Sequence, residues 1–102
     1  MSKYKNIPTA VDDLIFASKK EAARYCELMI LLRAKKITDL EIQKVFPLVV
    51  NGVKVCTYRA DFVYKDESGR DVIEDVKGVR TAVYSIKAKL MIAVYGVRVV
   101  EV

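Results

Sequence analysis

The 102-residue sequence predicts an α/β fold in which helices flank a mixed β-sheet, with the element order α-β-β-β-α-β. Two stretches with helical spacing of apolar residues enclose a region of strand-like segments. An Asn-Gly hairpin signal lies inside that region, and a glycine follows the second helical stretch. The length and the 53% hydrophobic content indicate a single domain, residues 1–102, with flexibility expected only in residues 1–10.

The first helix is predicted over residues 18–36. Ser18 and Glu21 form an S-x-x-E capping box at its start. Apolar residues then follow the helical repeat: Ala22, Tyr25, Cys26, Met29 and Leu32. Because apolar residues lie on more than one side, we expect this helix to be buried or to pack against a second chain. The preceding segment DLIF, residues 13–16, predicts a short strand.

Two long strands are predicted at residues 40–50 and 53–64. They are joined by Asn51-Gly52, a pair that favours a two-residue hairpin turn. A second turn-forming stretch, KDESGR, leads into a third strand at residues 71–78. The three strands are therefore expected to be consecutive neighbours in the sheet.

The second helix is predicted over residues 82–95, with Thr81 as its N-cap and Gly96 as its end. Its apolar residues at helical spacing are Val83, Ile86, Leu90 and Val94. Residues 97–102, VRVVEV, predict a last strand.

Composition excludes several kinds of site. The chain has no histidine and only two cysteines, which rules out most zinc sites and every catalytic triad built on histidine. A metal site would therefore use oxygen ligands and hold Mg²⁺, Mn²⁺ or Ca²⁺. Cys26 and Cys56 are expected to be buried free thiols.

The charge and hydropathy pattern bears on partners and location. A net charge of +5 is a weak indication of nucleic acid binding. Apolar stretches such as residues 28–32 are far shorter than a membrane span, and the first ten residues lack the apolar core of a secretion signal. A cytoplasmic protein with no membrane association is therefore expected.

The third predicted strand carries three charges, Glu74, Asp75 and Lys77, where an apolar strand would be expected. Alternate residues of a strand share a face, so Asp75 and Lys77 point the same way and Glu74 points the opposite way. We expect Glu74 to be a solvent-facing charge, or to pair with a lysine of a neighbouring element.

Asp61 lies on the preceding strand and is expected to meet Asp75 across the hairpin. Two carboxylates and the backbone carbonyl of Val76 are suitable ligands for a divalent cation. Lys77 can then orient the attacking water and offset charge that develops on phosphorus. This pattern indicates metal-dependent hydrolysis of phosphodiesters.

The segments RAD at residues 59–61 and EDVKG at residues 74–78 resemble the motif of the PD-(D/E)XK nuclease superfamily. The predicted element order is similar to the restriction-endonuclease-like core of that superfamily. Over residues 12–102, the sequence also resembles small phage-encoded nucleases related to phage Holliday-junction resolvases. In these segments Ala60 stands where the superfamily has proline.

The resemblance implies that Asp61, Asp75 and Lys77 are catalytic, with Mg²⁺, or alternatively Mn²⁺, held by the two aspartates and Val76. It also implies that Glu21 on the first helix completes the metal site. The capping box accounts for Glu21 equally well, so both interpretations stay open.

The resemblance further implies DNA as the partner, branched or junction DNA in particular, and a homodimer that makes two symmetric cuts. Candidate DNA-contacting residues are Lys19, Lys20, Arg24, Gln43, Arg80, Thr81, Tyr84 and Lys87. Two alternatives stand beside the resolvase-like reading. One is an endonuclease that nicks duplex or mismatched DNA, and the other is a non-catalytic DNA-binding accessory protein of replication or recombination.

Overall fold

A computed structural model describes residues 8–102 of the protein and confirms the α/β fold. Its elements are β1 (Thr9–Val11), β2 (Leu14–Phe16), α1 (Lys19–Arg33), β3 (Thr38–Val50), β4 (Val53–Lys65), β5 (Asp71–Asp75), α2 (Ala82–Tyr95) and β6 (Val100–Glu101). The predicted order α-β-β-β-α-β is present, preceded by a small β1–β2 hairpin of which only the second strand was predicted. Residues 1–7, on which most of the expected flexible segment falls, lie outside the described residues.

The main sheet has four strands in the order β3-β4-β5-β6. The first three strands are antiparallel neighbours, as the two hairpin connections predicted. Strand β6 pairs with β5 in parallel, so the sheet is mixed. The last strand is shorter than the predicted residues 97–102, because only Val100 and Glu101 pair with β5.

Helix α1 begins where the capping box predicted. The Ser18 hydroxyl accepts a hydrogen bond from the backbone N–H of Glu21 at 3.1 Å. The helix ends at Arg33, three residues before the predicted end, and Lys35 adopts a left-handed φ of 59° that stops it. Its buried side packs against the first core cluster: Phe16, Ala22, Tyr25, Leu28, Ile37, Phe62 and Tyr64.

Helix α2 has the predicted bounds, with Thr81 as N-cap and Gly96 in the left-handed conformation at its end. Its buried residues are Tyr84 and Met91, which belong to a second core cluster with Leu48, Tyr58, Ala60, Val63 and Ile73. The predicted apolar side is only partly used. Leu90 and Val94 pack against this cluster, whereas Val83 and Ile86 are 61% and 59% exposed.

Strands β3 and β4 form an unusually long hairpin of 13 residues on each side. Asn51 and Gly52 both have positive φ, the conformation that the Asn-Gly pair predicts for a tight hairpin turn. Only Phe62–Lys65 of β4 pairs with β5. Residues 44–60, called the hairpin arm below, therefore continue beyond β5 as a two-stranded ribbon.

The two cysteines are free, as expected, but the expectation that both are buried is wrong. Cys26 is exposed, because α1 turns Ala22, Tyr25 and Leu28 to the core instead, and Cys56 of β4 is half-buried. In the part of the chain described, neither helix is long and apolar enough to span a membrane.

We predict that Leu28→Ala lowers the free energy of unfolding by about 2–5 kcal/mol, because Leu28 is fully buried and its truncation leaves a cavity. Ile30→Ala on the same helix is the matched control, since Ile30 is 64% exposed. It should change stability by less than about 1 kcal/mol. Urea unfolding of both variants measures the difference, and equal losses would contradict the described burial of α1.

Candidate functional site

A cavity of about 530 Å³ opens where the start of α1, the end of β5 and the start of α2 meet. Three of the four residues predicted to be catalytic, Glu21, Asp61 and Asp75, contribute carboxylates to its lining. Lys77 lines it too, with further cationic side chains: Lys20, Arg59 and Lys87. The fold therefore brings the acidic motif and its lysine to one wall, with basic residues around it.

Asp61 lies beside Asp75, as the hairpin pairing predicted. Its Oδ2 atom accepts a hydrogen bond from the backbone N–H of Val76 at 2.8 Å, and its carboxyl group interacts directly with that of Asp75. The contact with Val76 is made by its N–H. The predicted role of the Val76 carbonyl as a metal ligand stays a prediction.

The carboxyl groups are crowded enough to resist ionisation. Burial is the largest cause that raises the pKa of Asp61, and the charges of Asp75 and Glu21 add to it; against the lowering effect of the Val76 N–H, the pKa reaches about 7. Burial also raises the pKa of Glu21, with the charge of Asp75 as the next cause. A cation between these groups would remove the cost of ionising them.

Lys77 shares a side with Asp75, as strand alternation predicted: its Nζ atom lies 2.9 Å from Asp75 Oδ1. Strand β5 ends at Asp75 rather than at residue 78, so Lys77 lies just beyond it. The backbone of Val102 holds Asp75 and Lys77 in this arrangement. Val102 donates its N–H to the carbonyl of Asp75 at 3.0 Å and accepts from the N–H of Lys77 at 3.2 Å.

Aromatic rings enclose the Asp75–Lys77 pair. The Tyr58 hydroxyl donates to Asp75 Oδ2 at 2.5 Å, and Lys77 Nζ lies 3.7 Å from the centroid of the Tyr84 ring. Tyr58 is a residue that the sequence did not identify. It precedes Asp61 by three residues, so strict alternation would have placed the two side chains on opposite faces.

Glu21 is held by Gln43 of β3, whose Nε2 atom donates to Glu21 Oε2 at 2.9 Å. Gln43 has a left-handed φ of 56° within β3, a conformation that is uncommon for a residue other than glycine. Gln43 was predicted to contact DNA. The structure instead brings its amide to the candidate metal site, and a contact with DNA stays a prediction.

Glu74 is buried, and the expectation that it faces solvent is wrong. Arg24 of α1 binds it through two hydrogen bonds, Nε to Oε1 at 2.8 Å and Nη2 to Oε2 at 2.6 Å. The Tyr64 hydroxyl donates a third. Glu74 does pair with a neighbouring element, but with an arginine, whose planar group forms the two parallel bonds that a lysine cannot.

The other predicted DNA-contacting residues divide by position. Lys20, Thr81, Tyr84 and Lys87 line the cavity. Lys19 is exposed outside the cavity lining, and the guanidinium of Arg24 is bonded to Glu74. Arg80 lies beside Glu101, at 3.4 Å. Arg59 lines the cavity as well and was not among the predicted contacts.

The oxygen donors of this site suit a hard divalent cation that takes only two protein ligands. Within residues 8–102, no group of three or more Asp, Glu, Cys or His side chains is placed to hold a metal ion. Asp61 and Asp75 are in direct contact, so their carboxyl groups offer oxygen atoms to one site. Mg²⁺ commonly binds through one or two carboxylates and retains several waters. Asp61 and Asp75 therefore suit such an ion, with Glu21 nearby.

Residues 1–100 match the family described as "Protein of unknown function (DUF1064)", and the chain belongs to this family. No curated protein and no solved structure matches the chain.

We predict that Arg24→Leu lowers the free energy of unfolding by about 3 kcal/mol, because it leaves the Glu74 carboxylate buried without its cation. Replacing both residues by leucine should recover much of that loss. Arg33→Leu, at the exposed end of the same helix, should cost less than about 1 kcal/mol. Chemical denaturation measures all three, and an Arg24→Leu loss no larger than the control would contradict the structural role.

We predict that metal-free protein loses stability as pH rises from about 4 to about 7, because folded Asp61 holds its proton more tightly than the unfolded chain, whose ordinary value is 3.8. Asp61→Asn removes this ionisation and keeps an acceptor for Val76. With solvent screening of the half-buried group allowed for, it should raise Tm by about 4–8 °C at pH 8.

The gain in Tm should shrink at pH 4, which is close to the ordinary value of 3.8, because folded Asp61 is then protonated and unfolded Asp61 is partly protonated. Thermal unfolding in EDTA at the two pH values measures it. An Asp61→Asn variant that is less stable than the wild type at pH 8 would contradict the raised pKa.

Proposed function

We propose that this protein is a metal-dependent DNA endonuclease that hydrolyses phosphodiester bonds. The observation that carries the proposal is the convergence of Asp61, Asp75 and Lys77 on one wall of an open cavity. These residues come from two strands and the segment after β5, and their polar groups contact one another. An acid of raised pKa beside a second acid and a lysine, all lining a cavity, is the kind of cluster that marks a candidate functional site.

Asp61 and Asp75 are the residues that would hold Mg²⁺, or Mn²⁺ in its place, and Glu21 is a further carboxylate close enough to raise the pKa of Asp61. When bound, such a cation supplies Lewis-acid polarisation of a phosphoryl oxygen. The hydrogen bond from Val76 fixes Asp61, and those from Tyr58 and Lys77 fix Asp75. The protein thus holds both carboxylates in place before any ion arrives, which reduces the cost of ordering them on binding.

Lys77 is the group suited to act on water and on the phosphate. Its ammonium is held between Asp75 and the face of Tyr84, so its position is fixed while one side stays open to the cavity. There it can donate a hydrogen bond to a nucleophilic water and offset negative charge that develops on the phosphoryl oxygens. The same charge attracts the phosphate group of a bound strand.

The basic residues at the cavity suit a polyanion rather than a small neutral substrate. Lys20, Arg59 and Lys87 line it together with Lys77, and Lys20 Nζ also donates to the backbone carbonyl of Lys77 at 2.9 Å. Side chains of this kind bind phosphates and orient the strand without reading its sequence. With Thr81 and Tyr84 they support a DNA strand across the cavity mouth.

The proposed substrate is branched DNA, with activity like that of a Holliday-junction resolvase, in the cytoplasm of the host cell. This follows the resemblance of residues 12–102 to small phage-encoded nucleases. Two symmetric cuts in a junction require two active sites, so the active form is proposed to be a homodimer.

The test is cleavage of a labelled DNA panel in Mg²⁺ and in Mn²⁺: a four-way junction, a flap, a mismatched duplex and a plain duplex. We predict paired symmetric cuts at the junction. Lys77→Ala should lose activity by about 10²–10³-fold or more, because it removes a donor that stabilises developing charge. Lys65→Ala is a matched control: Lys65 lies 2.9 Å from Asp71 in a comparable pair, outside the cavity lining.

Metal binding gives a readout that does not depend on activity. Mg²⁺ or Mn²⁺ should raise the Tm of the wild type but not that of Asp61→Asn, since an ion that binds only the folded state stabilises it. Cleavage of the mismatched or plain duplex instead would move the substrate and keep the mechanism. Salt-sensitive DNA binding with no cleavage under either ion would contradict the enzyme and favour the non-catalytic accessory protein.

A further inference from the structure

The hairpin arm, residues 44–60, exposes apolar side chains that the two core clusters do not use. Its five exposed valines are Val45, Val49, Val50, Val53 and Val55, with exposed fractions of 39–64%. Leu48 and Tyr58 anchor the inner part of the arm in the second core cluster, whereas the tip extends past the sheet. A two-stranded ribbon with apolar side chains in solvent is marginal by itself, which indicates that something covers it.

The charge of the arm selects the kind of partner. Residues 42–60 contain Lys44, Lys54 and Arg59 and no acidic residue, in a chain that has 13 Asp and Glu. Lys44 is paired with Glu41, but Lys54 and Arg59 make no ion pair with any residue in the described part of the chain. A second copy of the arm would bring cations against cations, whereas a polyanion would be attracted.

The arm is also continuous with the candidate site. Tyr58 and Arg59 at its base line the cavity, and Asp61 follows directly. Lys54 lies five residues before Arg59, about 17 Å along an extended strand. That distance corresponds to about five base-pair steps of a DNA duplex. A duplex whose backbone enters the cavity would therefore pass along the arm, with Lys54 level with phosphates further out.

We infer that the hairpin arm lies in a groove of duplex DNA next to the phosphodiester held in the cavity. The major groove, about 12 Å wide, admits a two-stranded ribbon. Lys54 then contacts a phosphate, and the exposed valines contact sugar and thymine methyl groups. The inference rests on the proposed function in one respect, since it takes the polyanion at the cavity to be DNA. It gives a role in DNA binding to residues of the arm that have no role in hydrolysis.

The test is the affinity of the protein for a labelled duplex in EDTA, measured by fluorescence anisotropy over a range of salt concentrations. Lys54→Ala should weaken binding by about 3–10-fold and lower the slope of log affinity against log salt by about one, the effect of losing one phosphate contact. Lys35→Ala, an exposed lysine after α1, should change neither. Val53→Thr with Val55→Thr preserves shape and strand propensity, so it should weaken binding and leave the salt slope unchanged.

Wild-type affinity in both the Lys54 and the double-threonine variants would overturn the inference, and intact junction cleavage in the same samples would leave the proposed function standing. A lower oligomeric state in the double-threonine variant with unchanged DNA affinity would assign the arm to a second copy and also overturn it. A wild-type protein that binds no DNA in EDTA, yet cleaves DNA with Mg²⁺, would overturn the arm alone. Neither binding nor cleavage would overturn both.

Discussion

The placement of two neighbouring carboxylates on β5 constrains the rest of the molecule. Glu74 and Asp75 point to opposite faces of the strand and both are buried, so each needs its own compensation. Arg24 provides it for Glu74 and thereby fixes α1 against the sheet. Glu21 lies one turn earlier on the same helix, which brings its carboxylate to the side where Asp75 lies. One ion pair thus positions the helix that completes the candidate site.

Asp75 is compensated differently, by groups that leave the site open. Tyr58 and Lys77 bind its two oxygens, and the Lys77 ammonium in turn packs over the face of the Tyr84 ring. Among the described residues, no comparable cation contacts Asp61, and the pKa of its carboxyl group is raised instead. Glu74 is neutralised within the protein, whereas the Asp61–Asp75 pair retains unfavourable charge that an external cation can relieve. That contrast distinguishes Glu74, a structural acid, from Asp61 and Asp75, the candidate metal ligands.

The candidate site and the hairpin arm are continuous, because Tyr58 and Arg59 of the arm line the cavity. The cavity has basic residues on its lining, and the arm continues the same sign of charge away from it with no acidic residue. Gln43 connects the two parts, because it lies in β3 directly before the arm and its amide donates to Glu21.

Local signals in the sequence determined the helix starts, the end of α2 and the long hairpin. Ser18, Thr81 and the Asn51-Gly52 turn act through neighbouring backbone groups, so their effect needs no tertiary context. Alternation likewise placed Asp75 with Lys77. Tertiary structure decided what local pattern cannot contain. Glu74 is buried because Arg24, 50 residues earlier, reaches it, and Tyr58 meets Asp75 only because the strands twist and pair as they do. Contacts between distant segments depend on how whole elements pack, and no short stretch of sequence specifies that.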